Sequence, residues 1–145
     1  MSQDRHKTFA AIALGAALLC SPLTVQAETQ RPTWILSAID GDTIRLYNGV
    51  KVRLMDYDTP EISRPKCPGE YLLGMKATVR LRQLITGGGF ALQFKRKRNG
   101  RLAKDKYQRL LARASAYGQP VADILVIEGL ARYYDGRSKR LSWCW

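Results

Sequence analysis

The chain has 145 residues, 46% of them apolar and 25% charged, which is enough for one packed domain and too few for two. Lys and Arg number 24 against 12 Asp and Glu, a net charge of +12, so the natural partners are polyanions: nucleic acid, an anionic membrane or an acidic polymer. A single histidine, His6, excludes a histidine triad, a three-histidine zinc site and an HExxH protease, and three cysteines without a CxxC exclude a four-cysteine metal site.

Arg5 and Lys7 precede an almost continuously apolar stretch over 8–19, then Pro22 and Val25-Gln26-Ala27. A basic start, a short apolar run and small residues at −3 and −1 are the layout of a secretory signal peptide over 1–27. The run is shorter than the ~20 residues of a membrane span. Leu19 is too bulky for Cys20 to read as a lipoprotein cysteine. The opposing reading is an anchoring or buried N-terminal helix. Cleavage after Ala27 is expected to leave 28–145 as one domain, periplasmic or secreted, a monomer without stable membrane insertion. Cys67 and Cys144 would then meet an oxidising compartment, which favours a bridge over two buried thiols; sequence alone does not bring them together.

Residues 34–39 read as a strand, stopped at Asp40-Gly41-Asp42. Residues 43–47 alternate polar and apolar, Asn48-Gly49 is a hairpin signal, and 50–55 resume the alternation. Thr59-Pro60-Glu61 ends that strand, and 62–70, with Pro65 and Pro68, reads as a loop. Leu72, Met75, Val79, Leu81, Leu84 and Ile85 recur at helical spacing, so a helix is predicted over 71–85, weakened by Gly74 and stopped by Gly87-Gly88-Gly89. A strand over 90–94, a basic turn from Lys95 to Asn99-Gly100, a strand over 109–114 and a helix over 121–130 follow. This order predicts an α+β OB-fold: a five-stranded antiparallel β-barrel with an interposed and a C-terminal helix.

Acidic residues are scarce, yet Asp40, Asp42, Asp56, Asp58 and Glu61 gather at strand ends. Turn chemistry accounts for Asp40-Gly41. It explains less about Asp42, Asp58 and Glu61, because a hairpin sets Asp42 beside the far end of the next strand. Carboxylates gathered on a very basic chain suggest a hard-cation site of the kind phosphodiester chemistry uses.

Ile39-Asp40-Gly41-Asp42-Thr43, Arg53-Leu54, Asp58-Thr59-Pro60-Glu61, Asp105-Lys106-Tyr107-Gln108-Arg109 and Glu128-Gly129-Leu130-Ala131 together resemble the staphylococcal nuclease (thermonuclease) family, in its order and spacing, over roughly residues 34–134. Any one piece alone is weak. The resemblance implies a calcium-dependent nuclease acting on DNA and RNA and leaving 3′-phosphate and 5′-hydroxyl ends. It implies Asp42 and Asp58 as calcium ligands, with the Thr59 backbone carbonyl. Glu61 would be the general base, Arg53 and Arg109 the phosphate-holding arginines, and Lys106 and Tyr107 neighbours of the bound nucleotide. Short exported members also carry a cysteine near Cys67, which favours a Cys67–Cys144 bridge. The physical case runs parallel: the phosphodiester anion repels hydroxide, guanidinium forks neutralise it, and without histidine a carboxylate must act as base.

Gln108 stands where the family usually has Gly, Asp56 where it commonly has a small or apolar residue, and the family's stacking tyrosine falls on Tyr133 or Tyr134. The run Lys95-Arg96-Lys97-Arg98 reads equally as a phosphate-contacting strand and as a solvated hairpin tip. The alternative to a nuclease is a non-catalytic OB module binding nucleic acid by charge and stacking. A third reading, a cationic envelope or membrane-associated protein, explains the charge but not the acids. Retention of Asp42, Arg53, Asp58, Glu61 and Arg109 separates the first reading from the others.

Overall fold

The computed structural model describes residues 34–145. The signal-peptide assignment to 1–27 lies outside the described residues.

Strands β1 (Ile35–Ala38), β2 (Thr43–Leu46) and β3 (Lys51–Leu54) form an antiparallel meander. The hairpin between β2 and β3 turns at Asn48-Gly49, where Gly49 has φ 81, a conformation glycine adopts at no steric cost. Helix α1 (Pro68–Thr86) follows, then β5 (Ala91–Phe94) and β6 (Leu110–Ala116). Between β3 and α1 lies β4 (Tyr57–Asp58); after β6 come β7 (Gln119–Pro120), α2 (Val121–Ile127) and β8 (Arg132–Tyr133). The main sheet runs β1-β2-β3-β6-β5, with β7 on β6; β4 pairs β8. This is the OB arrangement. One junction differs from the rest: β3 and β6 are parallel, with Arg53 opposite Leu111. A parallel pair needs a crossover, which α1 and β5 supply.

The core is built from alternate residues of the strands, among them Ile35, Ile44, Val52 and Leu54, packed against Leu81, Leu84 and Ile85 of α1 and Val121 and Leu125 of α2. The helices differ from their predicted forms in informative ways. α1 begins at Pro68, a favourable first-turn residue because its missing N–H is not needed there. Its buried stripe runs through Glu70, Gly74, Ala77, Thr78, Leu81, Leu84 and Ile85, whereas Leu72 and Val79 are exposed. Small residues are buried because the helix lies unusually close to its neighbours. A Cβ on Gly74 would meet the Pro60 carbonyl oxygen at 2.7 Å, and one on Gly41 would meet the Ala77 Cβ at 2.8 Å. α2 stops at Ile127. Gly129 (φ 71) donates to the Val126 carbonyl and Leu130 to that of Leu125, the paired bonds of a Schellman stop. Glu128 grips Arg80 of α1 through both carboxylate oxygens, at 2.7–3.0 Å. Glu128-Gly129-Leu130-Ala131 is therefore a helix terminator and inter-helix tie. Among the described residues, no helix is long and apolar enough to cross a membrane.

Candidate active site

The β2–β3 register sets Thr43 opposite Arg53, and the Leu54 N–H donates to the Asp42 carbonyl at 2.7 Å. Asp42 therefore lies beside the far end of β3, as the hairpin predicts. Val52 and Leu54 enter the core, so Arg53 projects to the opposite face. There its Nη2 lies 3.1 Å from Asp42 Oδ2 and 3.6 Å from Asp58 Oδ1, with about 8% of each side chain exposed. The guanidinium also donates to the carbonyls of Leu54 and Tyr57. Burying three charges is costly unless each is paired, and here each is. The Tyr57 hydroxyl donates to the Gly41 carbonyl, tying the Asp40–Asp42 turn to β4. Burial raises the Asp58 carboxyl above its ordinary range, more than Arg140 and Arg53 hold it down. Burial and the nearby Asp42 charge push Asp40 up to about 7.

Arg109 arrives from the turn before β6. Asp105 Oδ1 accepts the backbone N–H groups of Tyr107 and Arg109, and its Oδ2 takes Arg109 Nε at 2.7 Å. Burial raises the Asp105 carboxyl, but the Arg109 bonds outweigh it and the net shift is downward. Asp105 thus clamps Arg109 in place. Gln108 sits at φ 64 in this turn, the left-handed region that explains why glycine suits the position. Arg109 Nη1 reaches the Thr43 hydroxyl at 3.1 Å, and that hydroxyl donates to Asp42 Oδ1 at 2.9 Å.

These groups share one open cleft of about 830 Å³. Asp42, Arg53, Thr59, Glu61, Lys106, Tyr107 and Arg109 all line it. Asp58 does not line it: it is buried behind Arg53, 3.6 Å from Nη2, and borders a second, smaller pocket, while Thr59 is packed under Gly41. Glu61 is exposed, and its Oε1 accepts the backbone N–H groups of Ile62 and Ser63. Tyr107 is 67% exposed, with Lys106 Nζ and Arg109 Cζ 5.0 and 5.5 Å from its ring centre. Tyr134, not Tyr133, lines the cleft; the Tyr133 hydroxyl donates to Asp123 instead. Asp56 (φ 74) is paired with Arg113 at 2.6 Å. The sulfurs of Cys67 and Cys144 lie at bonding distance, 2.03 Å. The run 95–98 is exposed and forms a hairpin closed by backbone bonds, among them Lys97 N–H to the Arg101 carbonyl and Ala103 N–H to the Lys95 carbonyl, each at 2.8 Å.

Two contributors, Glu70 and Arg140, escape a motif search, and a third, Thr43, stands inside a motif without a role assigned to it. Thr43 joins the two arginine systems. Glu70, buried at the start of α1, accepts the Lys66 N–H at 2.6 Å and steadies the loop that carries Glu61. Arg140, on the C-terminal tail, lies 3.1 Å from Asp58 Oδ1. The acid spacing foreshadows Thr43 by its neighbour Asp42; nothing local marks Arg140.

Among the described residues, no group of three or more His, Cys, Asp or Glu side chains is placed to hold a metal ion. Asp42 and Asp58 form a smaller, all-oxygen pair. Asp58 Oδ1 is buried without a hydrogen bond, its contacts with Arg140 at 3.1 Å and Arg53 at 3.6 Å being ones of charge alone. Such a donor pair fits a hard divalent cation that keeps much of its water.

Paired carboxylates and converging guanidiniums on an OB-fold can hold a cation and a phosphate group side by side. The profile described as "Staphylococcal nuclease homologue" matches residues 51–142. The chain belongs to the staphylococcal nuclease family. It is 42% identical over 99 residues to Endonuclease YncB of Bacillus subtilis (strain 168), covering 66% of this chain and 44% of that protein. It is 40% identical over 99 residues to the SPbeta prophage-derived endonuclease YokF of the same strain, covering 66% of this chain and 31% of that protein. The chain thus spans less than half the length of these relatives.

Proposed function

We propose that this protein is an exported, calcium-dependent nuclease that hydrolyses phosphodiester bonds of DNA and RNA, leaving 3′-phosphate and 5′-hydroxyl ends. The observation that carries this reading is the buried Asp42–Arg53–Asp58 cluster, joined through Thr43 to Arg109, with Asp42, Arg53 and Arg109 lining one cleft. Both relatives bear the name endonuclease, which supports it. The basic N-terminal leader supports export.

Calcium held by Asp42, Asp58 and the Thr59 carbonyl would supply positive charge to a non-bridging phosphate oxygen. Arg53, its Nη1 and Nη2 held by two backbone carbonyls, would offer its remaining N–H groups to the same phosphate. Arg109, clamped by Asp105, approaches from β6. Glu61 at the rim takes a proton from the attacking water. The water oxygen bonds to phosphorus, the P–O5′ bond breaks, and the 5′-oxygen leaves as a hydroxyl with a proton from solvent. Tyr107 and Lys106 offer a ring and a cation to the neighbouring base and phosphate.

A short oligonucleotide digested in calcium and analysed by mass spectrometry tests the reading. Fragments with 3′-phosphates are expected from both DNA and RNA. Intact substrate, or 5′-phosphate fragments, would overturn it.

A further inference from the structure

The segment after β8 is irregular backbone, yet it is pinned at three places. Arg132 Nη1 donates to the Ser142 carbonyl at 2.8 Å, and its guanidinium lies 3.9 Å from the buried Trp143 ring. Asp135 Oδ1 accepts the Arg137 and Ser138 N–H groups and the Ser138 hydroxyl, each at 2.8 Å. Cys144 meets Cys67 at the far end. Arg140 lies between these pins and lines the same cleft as Arg53 and Arg109.

Arg140 differs from those two arginines in how it is held. Arg53 is buried and bonded to backbone, and Arg109 is clamped through its neighbour's carboxylate. Arg140 has a half-exposed side chain, resting on Asp58 Oδ1 at 3.1 Å and near the Tyr134 ring at 5.3 Å. Asp58 needs a positive partner while it is buried. Any cation that takes over Asp58 frees the Arg140 fork, and a phosphate in the cleft offers that fork two oxygens. We infer that Arg140 is a third phosphate-binding guanidinium, resting on Asp58 in the free protein and presented to the cleft by the disulfide-fastened tail. The inference rests on the nuclease reading and adds to it a part supplied from outside the barrel.

The test measures binding of a fluorescein-labelled, phosphorothioate-linked hexathymidylate that resists cleavage, by fluorescence anisotropy, in calcium and over a series of low salt concentrations. Steady-state cleavage in calcium is followed in parallel. Wild type is compared with Arg140→Ala, Arg140→Lys, and Lys51→Ala as an exposed charge-loss control on β3. Arg140→Ala should weaken binding about tenfold and flatten the salt dependence by about 0.7 in log–log slope, the share of one single-strand phosphate contact. KM should rise about as much, with kcat changed far less. Arg140→Lys should fall between, keeping charge but not the fork. Lys51→Ala should bind within about twofold of wild type. The Cys67→Ser/Cys144→Ser double variant, folded by circular dichroism, should lose the same slope increment; full retention would overturn the role given to the tail. If wild type binds and cleaves while Arg140→Ala matches Lys51→Ala, this inference alone is overturned. If wild type does neither, the nuclease reading falls and takes this inference with it.

Discussion

Arg109 Nη1 donates to the Thr43 hydroxyl at 3.1 Å, joining residues 66 positions apart in sequence. The same hydroxyl spends its proton on Asp42 Oδ1. One small side chain thus couples the arginine that precedes β6 to the carboxylate that precedes β2. Thr43→Val keeps the shape and removes both bonds. It should leave the fold intact and lower cleavage by about tenfold, the scale of one or two lost hydrogen bonds. Initial rates on a defined oligonucleotide, with circular dichroism as the folding check, measure it.

Gly74 looks like a weak point in α1, because alanine forms helix better by about 1 kcal/mol. The structure reverses that expectation. The added methyl would meet the Pro60 carbonyl oxygen at 2.7 Å and Ile62 Cγ2 at 2.6 Å. Overpacking of this kind typically costs about 1–3 kcal/mol. Gly74→Ala should therefore lower the thermal midpoint, and with it the order of the loop carrying Glu61. An unchanged or raised midpoint would show that Pro60 yields freely.

Gln108 holds φ 64 one residue before Arg109. Gly fits that backbone without steric cost, whereas a β-branched residue does not. Gln108→Gly should keep stability and cleavage near wild type. Gln108→Val should lose about 1–2 kcal/mol and cut cleavage, because Arg109 loses its aim. Denaturant melts and initial rates on the two variants separate these outcomes; equal behaviour would mean the turn re-forms around either residue.

Much of this architecture was legible beforehand. Strict alternation and Asn48-Gly49 define the β2–β3 hairpin, and hairpin geometry alone carries Asp42 to the end of β3. The gathering of Asp42 and Asp58 follows from that geometry, whereas the roles of Arg53 and Arg109 come from the resemblance to the staphylococcal nuclease family. Three things were not legible, each for a physical reason. The two-residue β4 and β8 are stabilised by pairing across the chain, so they leave no period. The α1 stripe hides behind Gly74, Ala77 and Thr78, because close packing rather than hydrophobicity selects them. Arg140 reaches Asp58 only because the tail is tied down at Trp143 and Cys144, contacts that no local pattern encodes.

Asp42 and Asp58 differ in what they lose on substitution. Asp42→Asn keeps the hydrogen bond from Thr43 but removes a charge from the oxygen pair. Calcium affinity depends on the charge count of the ligands, so binding should weaken by about tenfold or more. Raised calcium should restore part of the cleavage rate. Isothermal titration with calcium gives the affinity directly; an unchanged affinity would place the ion elsewhere.

The central claim is that Arg53, locked between two buried carboxylates, serves catalysis rather than stability alone. The most direct measurement is the initial rate of plasmid cleavage by purified wild type and Arg53→Lys, in calcium and in chelator, at a temperature where circular dichroism shows both folded. That substitution keeps the charge but removes the planar fork and the carbonyl bonds that aim it. The account predicts cleavage by wild type in calcium, none in chelator, and a rate about 10²-fold lower for Arg53→Lys. Cleavage that persists in chelator, or a folded Arg53→Lys that cuts at the wild-type rate, would contradict it.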